Sequence, residues 1–171
     1  MIRILGIDPG LAHTGWGIIG AEKQRLIHLA HGTIKTDKSQ SHSERVFMVY
    51  SEICRLISDI PPDIVGIETL YFAKNRRSAI PVAEARGAVL VAAAQHGIEC
   101  IGYTPLEIKQ ALTGNGRAEK KQVQEMVRIM LGMEDLPSPN HAADALAAAI
   151  CTYHMHQFSL AAEKQMPPKE M

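Results

Sequence analysis

Two acidic residues stand at the ends of short apolar segments, where a carboxylate could do metal chemistry. Asp8 ends the apolar run I-R-I-L-G-I-D, and Pro9-Gly10 turns the chain directly after it. Glu68 ends a second apolar run, D-I-V-G-I-E. Because an ionised carboxylate is costly to bury without a cation or a hydrogen-bond donor, Asp8 is either a turn cap or a metal ligand. For Glu68 the choice is between a metal ligand and an ordinary surface residue.

A histidine and an aspartate lie near the start of the last predicted helix. His141 and Asp144 are three residues apart, so both project from one face of that helix. Asp144 could instead complement the helix dipole, and His141 could be an unremarkable helix-start residue. If the strands that end in Asp8 and Glu68 are parallel neighbours, their carboxyl ends share the edge where open α/β sheets bind ligands. Three carboxylates and one imidazole favour Mg²⁺ or Mn²⁺ over a structural zinc ion.

The order of apolar patterns predicts an α/β fold, with a mixed five-stranded sheet flanked by helices. Three strands come first as an antiparallel meander, and two later strands join through helical crossovers as the parallel part. The strands are predicted at 2–8, 13–20, 25–36, 63–68 and 98–103. The helices are predicted at 43–57, about 81–95, 105–112, 118–131 and about 141–156, with Asn140 as the N-cap of the last. A polar, basic loop is expected at 73–78.

Length and composition predict one globular domain. The chain has 171 residues, of which 46% are apolar and 21% charged, and these values are typical of a folded domain. We expect residues 1–158 to form that domain and residues 159–171 to form a flexible C-terminal tail. No signal peptide is evident, and the longest apolar stretch, 88–94, is too short to span a membrane. Cys54, Cys100 and Cys151 form no Cys-x-x-Cys pair, so we expect reduced thiols in a cytoplasmic protein.

Charge is balanced overall but concentrated locally. The 18 basic and 18 acidic residues argue against a protein that coats polyanions through bulk charge. Basic residues nevertheless cluster after Glu68 and between residues 109 and 128, where they could contact phosphates or form solvated helix faces. These residues are Lys74, Arg76, Arg77, Lys109, Arg117, Lys120, Lys121 and Arg128. Tyr71 and Phe72 follow Glu68, and an aromatic there could stack on an unpaired base, although we expect Phe72 to pack in the core.

Four motifs in order resemble one known family. They are I-L-G-I-D-P-G at 4–10, I-E with a Lys-Asn loop at 67–75, A-E-A-R-G at 83–87 and H-A-A-D-A-L-A-A-A-I at 141–150. Over residues 2–155 the chain resembles the RuvC family of bacterial Holliday-junction resolvases, within the ribonuclease H-like superfamily. The resemblance implies a ribonuclease H-like fold and a metal site at Asp8, Glu68, His141 and Asp144. The family has Asp or His at the third position, so ligation and proton transfer both stay open for His141.

The resemblance also implies an activity and a set of partners. It implies hydrolysis of phosphodiester bonds at two symmetric positions of a four-way DNA junction, with 5′-phosphate and 3′-hydroxyl ends. Two Mg²⁺ ions would serve each site, with Mn²⁺ as a substitute. A homodimer formed in part by the helix at 83–94 would supply two sites, and a RuvA–RuvB branch-migration complex would be a partner. The expected DNA contacts are Tyr71, Lys74, Arg76, Arg77, Lys109, Arg117, Lys120 and Lys121.

Three other functions compete with this one. A ribonuclease H-like nuclease for an RNA–DNA hybrid or ribosomal RNA precursor would use the same carboxylates. A small actin-like phosphotransferase is suggested by I-D-P-G, although it would need a second phosphate loop and an adenosine pocket that we do not find in the sequence. A non-catalytic DNA-binding protein would be expected to have lost one or more of the acidic residues, and all of them are present.

Overall fold

The computed structural model describes residues 1–23, 25–69 and 76–165, without the side chains of residues 76–78 and 158–165. The strands are β1 (Ile2–Asp8), β2 (His13–Glu22), β3 (Arg25–Lys35), β4 (Ile64–Glu68) and β5 (Glu99–Tyr103). The helices are α1 (His42–Asp59), α2 (Arg76–Gln95), α3 (Pro105–Thr113), α4 (Lys120–Leu131) and α5 (Asn140–Gln165). The strands form one sheet of order β3-β2-β1-β4-β5. The predicted mixed five-stranded sheet is confirmed.

Strand register brings Asp8 and Glu68 to one edge of the sheet. β1 is antiparallel to β2 and parallel to β4, and Ile7 pairs with Ile67 in the parallel ladder. Asp8 and Glu68 each follow directly after that pair. Both carboxylates therefore leave the sheet at the carboxyl ends of neighbouring parallel strands, as the sequence predicts.

Two apolar layers cover the two faces of the sheet. Ile4 of β1 belongs to the core shared with α3, α4 and α5. Leu5 and Ile7 belong to the core on the other face, which includes residues of α1 and α2. This division follows from the alternation of side chains along a strand. Residues 2–8 read as a near-continuous apolar run because β1 is buried on both faces.

Glycines in the sheet allow α5 to lie directly on it. A Cβ atom on Gly6 would lie 2.0 Å from the Ala145 carbonyl oxygen, and one on Gly15 would lie 1.9 Å from the His141 carbonyl oxygen. Small residues on α5, including Ala145 and Ala149, complete the close approach. The backbone of α5 is thus held against β1 and β2 next to the end of β1.

Most boundaries lie within two residues of the prediction, and three differences are larger or change the role of a residue. α2 begins at Arg76, because R-R-S-A-I contains good helix formers and no breaker, so Pro81 lies inside this helix and residues 76–78 are not loop. α5 continues to Gln165, since no Gly or Pro follows until Pro167. Asn140 is the first residue of α5 rather than its N-cap: the carbonyl of Pro139 accepts from the helix, and Asn140 Oδ1 accepts from Gln124.

The domain limits stay a prediction. Residues 159–165 continue α5, and residues 166–171 lie outside the described residues. No helix within the described ranges is both long and apolar enough to cross a membrane. Cys54, Cys100 and Cys151 are free thiols, as expected.

Candidate active site

One pocket at the sheet edge collects the four predicted site residues. Asp8 comes from β1, Glu68 from β4, and His141 and Asp144 from the first turns of α5; all four line a pocket of about 350 Å³. Apolar walls and two lysines complete the lining: Pro105, Ile108, Lys109, Lys120, Val123 and Ala147. The structure therefore brings together residues that are up to 136 positions apart in the sequence, from Asp8 to Asp144.

One short hydrogen bond and one short ion pair organise the polar groups in this pocket. His141 Nδ1 lies 2.7 Å from Asp8 Oδ2, and Lys120 Nζ lies 2.7 Å from Asp144 Oδ2. One ligand atom each from Asp8, His141 and Asp144 lies within 4.8 Å of the others, so these three side chains form a candidate metal-binding cluster. Glu68 lines the same pocket outside that closest trio.

The contact with Asp8 defines the tautomer of His141. A carboxylate can only accept, so Nδ1 of His141 carries the hydrogen and donates it to the ionised Asp8. In the neutral ring the lone pair then resides on Nε2. The His141 side chain is 48% exposed, and no residue in the described part of the chain hydrogen-bonds to this second nitrogen, so Nε2 is available to bind a cation.

Burial and mutual repulsion raise the pKa values of two carboxyls. The pKa of Glu68 rises from 4.5 to about 7, mainly through burial and then through the charges of Asp8 and Asp144, while Lys120 and Lys109 oppose the rise. Burial also raises the pKa of Asp8, against the hydrogen bond from His141. Clustered carboxylates that resist ionisation are stabilised by a nearby cation. The electrostatics of the pocket thus favour a divalent ion.

His13 is a site neighbour that the sequence analysis missed. Its ring stacks on that of His141, with centroids 5.7 Å apart and an interplanar angle of 6°. His13 begins β2, and Asp8 pairs with Gly15 two residues along that strand. A signal was present in the sequence: a β1–β2 hairpin places the first residues of β2 beside the end of β1.

The predicted DNA contacts divide into three groups. Lys109 and Lys120 line the pocket with the carboxylates. Arg117 is exposed, and Lys121 lines a separate groove between α3 and α4 with Glu119 and Glu125, so the structure does not bring these two into the pocket. Tyr71, Phe72 and Lys74 lie outside the described residues, and Arg76 and Arg77 are described only as the first residues of α2.

The cysteines offer no nucleophile to this pocket. Burial raises the pKa of Cys100 to about 11 and that of Cys151 to about 12, so both thiols stay protonated at neutral pH. Neither residue lines the pocket. The chemistry available there is that of carboxylates, imidazole and ammonium groups.

The sheet order and the acidic edge place this protein in the ribonuclease H-like class of folds. The family model described as "Crossover junction endodeoxyribonuclease RuvC" matches residues 4–152. The chain belongs to the RuvC family of crossover junction endodeoxyribonucleases. RuvC of Treponema denticola is 50% identical over 147 residues, which cover 86% of this chain and 83% of that protein. RuvC of Syntrophomonas wolfei is 45% identical over 159 residues, covering 93% of this chain and 91% of that protein.

Solved structures agree with the family assignment. RuvC of Thermus thermophilus superposes with a TM-score of 0.86 at 34% identity, covering 92% of this chain and 97% of that one. The same bacterial protein in complex with a Holliday junction substrate superposes with a TM-score of 0.85 at 32% identity, over 92% and 96% of the two chains. The yeast mitochondrial Holliday junction resolvase shares the fold alone, at 11% identity and a TM-score of 0.63.

Proposed function

We propose that this protein is a structure-selective endodeoxyribonuclease that resolves four-way (Holliday) junctions in homologous recombination and DNA repair. One observation carries the proposal: in a chain of the RuvC family, β1, β4 and α5 bring three carboxylates and an imidazole into one pocket. The family match argues against an actin-like phosphotransferase, and the complete set of acidic residues argues against a non-catalytic DNA-binding protein.

The donor atoms of the pocket fit Mg²⁺, with Mn²⁺ as a substitute. The close trio supplies two carboxylates and one imidazole, Glu68 adds a third carboxylate, and hard cations prefer oxygen ligands. Two such ions, held by these side chains, would supply an activated water and would stabilise the leaving 3′ oxygen of an in-line displacement, with 5′-phosphate and 3′-hydroxyl products. Asp8 would be the shared ligand, because it belongs to the close trio with His141 and Asp144 and ends the strand that is the parallel neighbour of β4.

The remaining polar groups would orient the substrate and move protons. His141 keeps Nδ1 on Asp8, so its Nε2 would either complete the ligand set or transfer a proton. Lys120 lies 2.7 Å from Asp144, and its ammonium would be free to contact a phosphate once that carboxylate binds a cation. Lys109 faces the same pocket and would contact the same strand. Contacts from Tyr71, Lys74, Arg76, Arg77, Arg117 and Lys121 stay predictions.

Symmetric incision of two strands requires two copies of the site. Two exposed apolar side chains on adjacent helices support a homodimer. Phe47 of α1 is 65% exposed, and Val91 of α2 is 59% exposed. Both line a groove of about 630 Å³ between α1 and α2, and large exposed apolar side chains of this kind mark interaction surfaces. We propose the groove between α1 and α2 as the two-fold interface. Docking of a RuvA–RuvB complex rests on the family resemblance alone.

One cleavage assay tests the proposal. The wild type, Asp8→Asn and Asp59→Asn are incubated with a synthetic four-way junction, a matching linear duplex and an RNA–DNA hybrid, with Mg²⁺, with Mn²⁺ or with EDTA. Asp59 is an exposed carboxylate at the end of α1, so its substitution is the matched control. We expect the wild type and Asp59→Asn to cut only the junction, only with a divalent ion and at symmetric positions, and we expect Asp8→Asn to be inactive.

Four results would contradict this assignment. Equal cutting of the junction and the duplex would remove the structure selectivity. Preferred cutting of the hybrid would favour a ribonuclease H-like nuclease with another substrate. Full activity of Asp8→Asn, or full activity in EDTA, would remove the metal-dependent site.

A further inference from the structure

A second groove lies beside the candidate active site and shares one wall with it. It has a volume of about 380 Å³, and His141 is the residue that lines both it and the catalytic pocket among the described residues. The other lining residues come from the β1–β2 turn, the first turn of α1 and the middle of α2: Gly10, Leu11, Ala12, His13, His42, Arg45, Pro81 and Val82. A DNA strand with one phosphate at the candidate metal-binding cluster would have room to continue past His141 into this groove.

Arg45 lines this groove, and a hydrogen bond from its Nε to Thr36 fixes the side chain. Its Nε donates to Thr36 Oγ1 at 2.9 Å, and the Thr36 hydroxyl donates to the Leu11 carbonyl at 2.6 Å. The side chain is thereby braced against the β1–β2 turn, which begins directly after Asp8. Within the described part of the chain, the two terminal guanidinium nitrogens make no hydrogen bond. A half-buried guanidinium with two such nitrogens is a preferred donor to phosphate oxygens.

Two basic side chains, Arg45 and Lys35, supply positive charge at this groove. Lys35 is the cross-strand partner of His13, so the two side chains project from the same face of the sheet, beside the groove. Two carboxylates lie nearby, and each has another partner: Glu84 pairs with His42 at 2.6 Å, and Asp37, which interacts electrostatically with Arg45, accepts the Ser39 N–H at 2.8 Å. Among the described residues, neither Arg45 nor Lys35 forms a direct ion pair with a carboxylate. Leu11, Pro81 and Val82 add apolar walls suited to a deoxyribose.

From this arrangement we infer that Arg45, with His13 beside it, forms a second phosphate subsite for the DNA strand that is cut. The subsite lies on the other side of His141 from the pocket that contains Lys109 and Lys120. Basic side chains on both sides of the candidate metal-binding cluster would hold the phosphates that flank the scissile one. This inference rests on the proposed function, because it concerns how that site holds its substrate.

Junction binding by Arg45→Gln, compared with Arg55→Gln, tests the subsite. Arg55 is on the same helix, is exposed and is engaged by Glu52 and Asp59, so its substitution makes the same charge change elsewhere. Binding of a fluorescent junction is measured in EDTA across salt concentrations. We expect Arg45→Gln to raise the Kd about 5- to 10-fold and lower the salt slope by about 1, with Arg55→Gln within about twofold of wild type.

Chemical changes in the DNA give a second test that does not depend on how well the variant folds. Single methylphosphonates replace the phosphates on either side of the scissile one. For the wild type, we expect a methylphosphonate at one position to weaken junction binding as much as Arg45→Gln does. At that same position the methylphosphonate should not weaken binding by Arg45→Gln any further. It should weaken binding by Arg45→Lys, which keeps the charge, by part of the amount seen for the wild type.

Two results would overturn the inference. One is equal junction affinity and salt slope for Arg45→Gln and Arg55→Gln. The other is a methylphosphonate loss that adds fully to that of Arg45→Gln at every flanking position. Either result would leave wild-type cleavage of the junction intact. A failure of the proposed function would instead appear as a wild type that neither prefers nor cuts the junction.

Discussion

At the scale of single residues, the site raises the pKa of the Glu68 carboxyl. It is half-buried at the end of β4, and the charges of Asp8 and Asp144 add to the effect of burial, so its pKa is about 7. In the absence of a metal ion, the folded protein holds this proton well above the ordinary pKa of 4.5. The geometry that suits a cation therefore destabilises the metal-free protein at neutral pH.

The raised pKa of Glu68 should make the free energy of unfolding depend on pH. Between pH 4.5 and 7 the folded state binds more protons at Glu68 than the unfolded state does, so the free energy of unfolding falls as pH rises. Glu68→Gln removes this loss, which amounts to at most about 3 kcal/mol for the full shift. Urea unfolding in EDTA at pH 5 and pH 8 measures it.

Glu134→Gln, a change at an exposed carboxylate, is the matched control for that experiment. We expect it to follow the wild type at both pH values. If Glu68→Gln lost as much stability as the wild type between pH 5 and pH 8, the raised pKa of Glu68 would be wrong.

At the scale of elements, the position of α5 decides whether a site exists. His141 and Asp144 reach Asp8 because the α5 backbone lies on Gly6 and Gly15, closer than any side chain on those strands would allow. The sequence analysis placed Asp8, Glu68, His141 and Asp144 on the correct strands and helix. It could not supply the approach of α5, which depends on glycines and alanines whose packing partners are more than 100 residues away.

Gly6→Ala should move the site residues on α5 away from Asp8 on β1. The added Cβ would lie 2.0 Å from the Ala145 carbonyl oxygen, so α5 must shift away from β1, at about 1–3 kcal/mol of stability. Because Asp144 is on the same helix, we expect a loss of cleavage at temperatures where the variant is still folded. Thermal unfolding and junction cleavage, measured together, check both effects.

Gly20→Ala provides the comparison on the same sheet. Its added Cβ would meet the end of the flexible Met1 side chain, which can move aside. We expect near-normal cleavage from this variant. Wild-type cleavage by Gly6→Ala at its normal melting temperature would show that close packing of α5 is not required.

At the scale of the whole molecule, one chain carries one candidate site, and the proposed reaction needs two. The groove between α1 and α2 lies on the sheet face opposite α5. Phe47 and Val91 are among the most exposed large apolar side chains in the described part of the protein. A dimer formed there would cover both of them.

Phe47→Glu should therefore produce a monomer. Placing a charge in the apolar groove makes its burial against a second copy unfavourable. We expect the monomer to nick a cruciform plasmid rather than linearise it, because the second incision needs another encounter. Light scattering gives the mass, and gel analysis separates nicked from linear DNA.

Ile129→Glu on α4 is the control, since Ile129 is similarly exposed but lies outside this groove. It should remain a dimer and linearise the plasmid. A dimeric Phe47→Glu would exclude this groove as the interface.

The sequence by itself determined the order of the elements along the chain and the mixed sheet, and, with the family resemblance, it predicted the four polar residues at the edge of that sheet. Those features depend on local patterns: apolar runs, turn residues and helical spacing. Only the tertiary structure decided that Nδ1 of His141 faces Asp8, that Lys120 pairs with Asp144, and that His13 and Arg45 stand beside them. Such contacts join residues from separate elements, and their distances follow from how α5 and α1 pack on the sheet, which no local pattern encodes.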